Sequence, residues 1–289
     1  MSVLRWPAVK TLLVLLCLSL LVSACSRIGL AYRNLDWLVP WRLNDYLNLN
    51  SQQQAWLKPR LQTHLQWHCS AELPRYIDWL QTTESILAQP QPDSAQLLEQ
   101  FAQFDAALKR ISIEITPTAI ELLQGLSEQQ VSELYTALDE DNLEDRQDFL
   151  DPPLATQLSE RQTRMQERLR PWLGRLNNAQ TEHIAAWANG LGEQNRLWLE
   201  NRQLWQTELR KVVAERDSAD FAERLTRLLQ QRESYYSDEY RANYGRSRQA
   251  LATLFSQMLS SSDKAQRERL NHRLRDLRRD LAEQQCDAA

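Results

Sequence analysis

Apolar residues recur every three to four positions along nearly the whole chain after residue 48, which is the period of an amphipathic α-helix. Proline, glycine and helix-capping residues interrupt this pattern at short intervals. The pattern predicts an all-α fold, a multi-helix bundle with long helices and no sheet. The predicted helices cover residues 51–69, 73–89, 94–115, 117–125, 128–149, 154–174, 178–215, 218–260 and 264–285. We expect a kink at Pro59, and Gly190, Gly192 and Gly245 mark the places where the two longest helices could bend or break.

Four of the predicted helices begin with the same short pattern, a capping residue followed three positions later by glutamine. The four pairs are Asn50 with Gln53, Ser127 with Gln130, Asn177 with Gln180, and Asp263 with Gln266. In such a capping box the first side chain accepts the free backbone N–H groups of the first turn, and the glutamine reaches back to the cap. A leucine precedes the cap in the first three copies and predicts a hydrophobic staple, whereas Ser262 stands there in the fourth.

The repeated start is similar to the L-T-x-x-Q motif of the Spy and CpxP periplasmic helical proteins. That resemblance implies a role in envelope stress and, for some members, chaperone activity. Threonine is absent from every copy here, and capping boxes arise in helical proteins of many kinds.

Glycine is scarce, with 6 residues in 289, whereas glutamine, leucine, arginine and glutamate are abundant, and this composition favours helix. No low-complexity linker divides the chain, and the proline-bearing loops are short. We therefore predict one helical domain over residues 49–289.

The N-terminus resembles a bacterial lipoprotein signal. Arg5 and Lys10 precede an apolar run over residues 11–21, which is too short to span a bilayer. The sequence Val22-Ser23-Ala24-Cys25 that follows resembles the lipobox, so residues 1–24 are predicted to be removed and Cys25 to carry lipid. Ser26 at the sorting position favours the periplasmic face of the outer membrane, with the inner membrane as the alternative. An ordinary secretory signal cut after Ala24 is the competing interpretation.

Residues 25–48 are predicted to form a lipidated, membrane-proximal segment. Its sequence around Tyr32-Arg33-Asn34-Leu35-Asp36-Trp37-Leu38, with Trp41 after it, resembles the opening of an uncharacterised family of proteobacterial lipoproteins. The resemblance implies the compartment and an all-helical fold but no activity. Two interpretations of Trp37 and Trp41 stay open, contact with the membrane or a partner, and docking into the core. The predicted contact residues are Tyr32, Arg33, Asp36, Trp37 and Trp41.

Charge and cysteine content narrow the classes of function. Without Arg5 and Lys10 the net charge changes from −4 to −6, which argues against nucleic-acid binding. After cleavage and lipidation, Cys69 and Cys286 are the only thiols. In an oxidising compartment that even pair predicts a disulfide, and two unpaired cysteines are the alternative.

Candidates for chemistry are weak. His64 and His68 stand four apart, with Cys69 and Glu72 nearby, but two histidines do not make a zinc site. No serine-hydrolase elbow, phosphate-binding glycine loop or zinc-protease motif is present. We therefore predict no metal, no cofactor and no enzymatic activity. The predicted function is non-catalytic binding or scaffolding toward an envelope protein, with a chaperone-like stress protein as the alternative.

Overall fold

The computed structural model describes residues 34–284, and over this range the chain is all-α with no strand, as predicted. The α-helices are α1 (Leu35–Leu47), α2 (Ser51–Trp67), α3 (Leu73–Leu87), α4 (Ser94–Gln124), α5 (Glu128–Phe149), α6 (Leu154–Leu173), α7 (Asn178–Gly190), α8 (Gln194–Ala214), α9 (Phe221–Gln230), α10 (Asp238–Ser260) and α11 (Lys264–Ala282). A π-helix over His68–Glu72 joins α2 to α3, and a 3₁₀-helix covers Arg232–Tyr235. None of the helices between residues 34 and 284 has both the length and the apolar character needed to cross a bilayer.

Two predicted boundaries are wrong because tertiary contacts override local signals. The predicted helices 51–69 and 73–89 form one uninterrupted helical segment through the π-helical turn. The predicted break before Pro117 is absent, and α4 continues through it. Next to the proline, the buried Thr116 hydroxyl donates to the carbonyl of Ser112 at 2.5 Å and accepts from Nε2 of Gln230 at 3.1 Å. These bonds tie α4 to the end of α9 and hold the helix together beside the missing N–H.

The predicted helix over 218–260 is also wrong in its middle, whereas the break at Gly190 and Gly192 is confirmed. Gln231 leaves helical geometry with φ −126° and ψ 49°, and Ser237 starts α10 as an N-cap. Gly245 lies inside α10, so the break comes before the glycine. Gly192 adopts φ +48°, a left-handed conformation that glycine reaches without a steric penalty, and it separates α7 from α8.

All four predicted capping boxes are present, with both hydrogen bonds of each box formed. The boxes also meet in two pairs. Gln53 lies against Gln130, and Gln180 lies against Gln266. Each pair contacts the edge of an apolar core, since Gln130 donates to the carbonyl of Leu47 and Gln180 to that of Met258.

The first core gathers α1, α2, α5, α8, α9 and the end of α4, around side chains such as Leu134, Val213 and Phe221. The second gathers α3, α6, α7, α10 and α11, around side chains such as Ile184 and Met258. The continuous α2–α3 segment runs from the first core, at Leu57, to the second, at Leu80. The 31-residue α4 runs from a smaller third cluster of Ile86, Leu97 and Ala252 to the first core, at Leu122. The surface considered next lies along α4 where it passes α3.

Candidate functional site

A groove of about 680 Å³ runs between α3, α4 and the C-terminal part of α11. The sequence builds it from a hairpin: α3 ends at Leu87, and Asp93 caps α4, which returns alongside α3. The groove, called here the α4 groove, is lined mainly by Tyr76, Trp79, Phe104, Leu108, Leu277 and Leu281.

The floor of the groove carries apolar side chains that the fold leaves exposed. Phe104, Leu108, Ile111 and Ile115 follow one another at spacings of four, three and four residues, so they form one stripe along α4. Phe104 is 52% exposed, Leu108 49% and Ile115 41%. Three of the nine large apolar side chains that are exposed among residues 34–284 belong to this stripe, namely Phe104, Leu108 and Ile115. Leu97 and Leu122, seven residues before and after this stripe, continue the same face of α4 and are buried, so the stripe is the exposed middle of an apolar face whose two ends are covered.

The walls of the groove add aromatic surface and one unpaired donor. Trp79 of α3 packs partly against the second core, together with Leu277 and Leu281 of α11. Its indole Nε1 is buried and has no hydrogen-bond partner. A buried N–H without an acceptor is costly, and this one belongs to a residue of the groove wall.

One end of the groove is basic. Glu72, in the π-helical turn, is fully buried and accepts hydrogen bonds from Arg110 Nε at 2.7 Å, Arg110 Nη2 at 2.8 Å and Arg75 Nη1 at 2.7 Å. The hydrogen bond from Arg110 is the main reason that the pKa of Glu72 lies below its ordinary value, and burial opposes it. Two guanidinium groups share one carboxylate, so these three residues carry a net charge of +1; Asp78, three residues after Arg75, also lines the groove. Glu99 lines the opposite end, eleven residues earlier on α4.

The two predicted histidine candidates point to different partners. His64 contacts Glu114 and Thr118 of α4, at 3.0 and 2.8 Å. His68 lies 3.3 Å from the Tyr76 hydroxyl, and burial lowers its pKa. Among residues 34–284 no group of three or more histidine, cysteine or acidic side chains is placed to hold a metal ion.

Of the predicted contact residues, Asp36, Trp37 and Trp41 lie on α1. Trp37 is 62% and Trp41 55% exposed, and their rings stack with centroids 6.0 Å apart. They are therefore not docked in the core, whereas Leu43, Tyr46 and Leu47 of the same helix pack into the first core.

Four of the predicted site residues lie outside the described residues: Cys25, Tyr32, Arg33 and Cys286. Cys69 is disulfide-bonded, and the identity of its partner as Cys286 stays a prediction.

Sequence reasoning missed the α4 groove. Glu72 was considered only as a neighbour of His68 in a possible zinc site, and neither Arg75 nor Arg110 was predicted as a site residue. The sequence gives no signal for the groove, because Phe104 and Leu108 lie seven and eleven residues after the buried Leu97 and therefore share its helical face.

Comparison with known proteins gives a family and no activity. A family model described as a family of unknown function, DUF6279, matches residues 45–241. The matched range includes α3 and α4 but not α11. No curated protein and no solved structure shows a significant match to the chain.

Proposed function

Because the chain belongs to the DUF6279 family, whose function is unknown, we propose a function from its own surface: it is a lipid-anchored envelope protein that binds an apolar helix of a partner protein in the α4 groove. The match confirms the predicted membership of an uncharacterised family. The lipid anchor, the compartment and the non-catalytic binding role are the proposal.

The exposed stripe on α4 carries this proposal. At 1.5 Å of rise per residue, Phe104 to Ile115 spans about 16 Å, which is three turns of a helix laid alongside. Exposed apolar stripes of this kind on otherwise polar proteins commonly mark binding surfaces. A helix-in-groove contact uses apolar anchors at the same spacing on both partners.

The openness of the stripe favours a helix over a lipid chain as the occupant. Small-molecule sites usually bury most of their ligand, so their lining is enclosed before the ligand arrives. Phe104 and Leu108 are about half exposed, and Ile115 extends the stripe beyond the groove. A second helix covers such a surface, whereas a single acyl chain leaves much of it exposed to water.

The charge at the groove ends gives the partner helix a direction. The cluster of Glu72, Arg75 and Arg110 has a net charge of +1, and Arg75 is 54% exposed. Glu99 lies at the other end. We therefore expect an acidic residue of the partner beside Arg75 and a basic residue near Glu99, since complementary charges set the orientation of a docked helix.

The anchor rests on the lipobox and on α1. Cleavage before Cys25 would place lipid ten residues before Leu35, the start of α1. The stacked, exposed Trp37 and Trp41 then lie where aromatic side chains favour the membrane interface. We place the protein on the periplasmic face of the outer membrane, with the inner membrane as the alternative.

The anchor is tested by mass spectrometry of the mature protein from membranes. The proposal requires an N-terminal peptide that begins at Cys25 and carries a diacylglycerol. A protein that begins at any other residue, or that stays in membranes unchanged after Cys25→Ser, contradicts it.

The groove is tested by a photo-crosslinking amino acid at position 108 in the full chain in intact cells. Position 143 on α5 provides the matched control, because Leu143 is also exposed, at 56%. The adduct at 108 should map to an amphipathic helix of one other protein and disappear when Arg75→Glu is added. An adduct to phospholipid, an adduct to a second copy of this chain, the same adduct from position 143, or no adduct contradicts the proposal.

A further inference from the structure

A second cavity, of about 410 Å³, lies between α6, α8 and α10. Three arginines of α6 line it: Arg161, Arg164 and Arg168, at spacings of three and four residues, on one helical face. No aspartate or glutamate is among the described residues that line it. A cavity with this lining has a surplus of positive charge.

Arg161 is the buried member, with 6% of its surface exposed. Its guanidinium donates to the carbonyls of Ala188 and Gly192 at 3.0 and 3.1 Å, and to Oδ1 of Asn195 at 3.0 Å. All three acceptors are uncharged. Burial, and secondarily the charge of Arg164, lowers the pKa of Arg161, as expected for a cation that no carboxylate neutralises.

The other two arginines are accessible. Arg164 lies over the ring of Phe149, with its guanidinium carbon 5.2 Å from the centroid, and pairs at 3.3 Å with Glu160, which is 44% exposed. Such an exposed pair contributes little and leaves donors available. Arg168 forms no ion pair with any described residue, and it is exposed.

Aromatic residues form the rest of the wall. Trp187, Trp198, Tyr240 and Tyr244 line the cavity, and the ring of Phe149 meets that of Trp198 edge to face, with centroids 6.2 Å apart. The indole Nε1 of Trp187 is buried and has no hydrogen-bond partner. The cavity therefore combines an exposed arginine without an ion pair, Arg168, and a partly exposed one, Arg164, with flat aromatic faces.

From this arrangement we infer that the cavity is a binding site for a small organic anion, a phosphate or carboxylate group attached to a ring or other compact apolar body. Arg164 and Arg168 bind the anionic group, because guanidinium forks match the oxygens of both anions. The aromatic wall receives the apolar body, and the volume lies within the range of small-molecule sites and exceeds that of a bare ion. This site is independent of the α4 groove.

The test is calorimetric titration of the purified full chain with three probes that share one phenyl ring. Phenyl phosphate and phenylacetate carry the two anionic groups, and benzyl alcohol is the neutral analogue. We expect saturable binding of at least one anion, weakened by added salt, and binding of benzyl alcohol at least about tenfold weaker. The ratio of the two anions identifies which group the site prefers.

Variants locate the binding. Arg164→Gln with Arg168→Gln should weaken anion binding at least about tenfold, whereas Arg170→Gln, an exposed arginine of the same helix outside the cavity, should leave it unchanged. Arg161 is left intact because it holds the junction of α7 and α8. The inference is overturned if neither anion binds at concentrations up to about 10 mM, if the double variant binds as the wild type does, or if benzyl alcohol binds equally well.

Discussion

Gln53 and Gln130 exchange side-chain hydrogen bonds across the first core: Nε2 of Gln53 lies 3.1 Å from Oε1 of Gln130, and Nε2 of Gln130 lies 2.7 Å from Oε1 of Gln53. Each Oε1 also accepts the backbone N–H of its own cap, Asn50 or Ser127. Each Nε2 also donates to a backbone carbonyl beside the other helix start, that of Gly125 or Asn48. The boxes thus join distant helices as well as starting their own.

Gln180→Glu tests whether the amide is needed. Glutamate can still cap Asn177, but it cannot donate to Oε1 of Gln266 at 2.9 Å or to the carbonyl of Met258 at 3.2 Å. Because Gln180 is fully buried, we expect the free energy of unfolding to fall by about 3 to 5 kcal/mol, measured by urea denaturation. Gln52→Glu, exposed in the first turn of α2, is the control and should change it by less than about 0.5 kcal/mol. Equal effects of the two changes would refute the pairing role.

Glu72→Gln tests the ion cluster at the groove end. The change leaves Arg75 and Arg110 without their shared carboxylate. Both arginines are partly exposed, at 54% and 32%, so water compensates part of the loss, and we expect about 1 to 3 kcal/mol of destabilisation at neutral pH. Glu121→Gln, which removes an exposed partner of Arg60 at 3.2 Å, should cost less than about 1 kcal/mol.

The same variant has a defined pH dependence. The pKa of Glu72 is lower in the folded than in the unfolded protein, so its contribution is fully present above the unfolded value of about 4.3. It is lost as the pH falls through the lowered folded value. The difference in unfolding free energy between wild type and Glu72→Gln should therefore shrink on acidification below about pH 4. A difference that grows on acidification would contradict this assignment.

Cys69 is disulfide-bonded, and we predict Cys286 as its partner. Peptide mapping without reductant should yield a linked peptide that contains both residues. Because the bond would close a loop of more than 200 residues, Cys286→Ser should lower stability by about 5 kcal/mol in the chain-entropy account. A linked peptide that joins Cys69 to any other cysteine would show the predicted pairing to be wrong.

The exposed pair Trp37 and Trp41 should contribute to membrane binding and not to the stability of the fold. In a mature chain with Cys25→Ser, the double change to alanine should reduce sedimentation with phospholipid vesicles while the melting temperature stays within about 2 °C. Leu204→Ala, at another exposed apolar position with 50% exposure, should leave sedimentation unchanged. Unaltered sedimentation of the double variant would count against membrane contact by α1.

The sequence predicted what local signals control. Asn50 and Gln53 lie three residues apart, so a reader of the chain sees the whole capping box. The partner Gln130 stands 77 residues away, and no local pattern connects the two. The predicted helix break at Pro117 is wrong for the converse reason. Proline locally favours the end of a helix, but a contact from Gln230 on α9 keeps α4 intact.

The candidate sites also depend on contacts between distant residues, which local sequence does not reveal. Phe104 and Leu108 are apolar residues at helical spacing, and such residues are usually buried, so the chain alone could not distinguish them from core. In the fold α3 and α11 flank this part of α4 without covering Phe104 and Leu108, so both side chains stay exposed. Arg161 likewise looks like one of many surface arginines until α7 and α8 close over it.

Occupancy of the α4 groove by a partner helix is tested most directly by titrating a peptide of the crosslinked helix against wild-type protein, Leu108→Gln and Leu143→Gln. Both substitutions replace an exposed leucine and should leave the free energy of unfolding within about 0.5 kcal/mol of wild type. Leu108→Gln should weaken peptide binding at least tenfold, on the order of 1.4 kcal/mol, and Leu143→Gln should not. Equal affinity for wild type and Leu108→Gln would contradict the account.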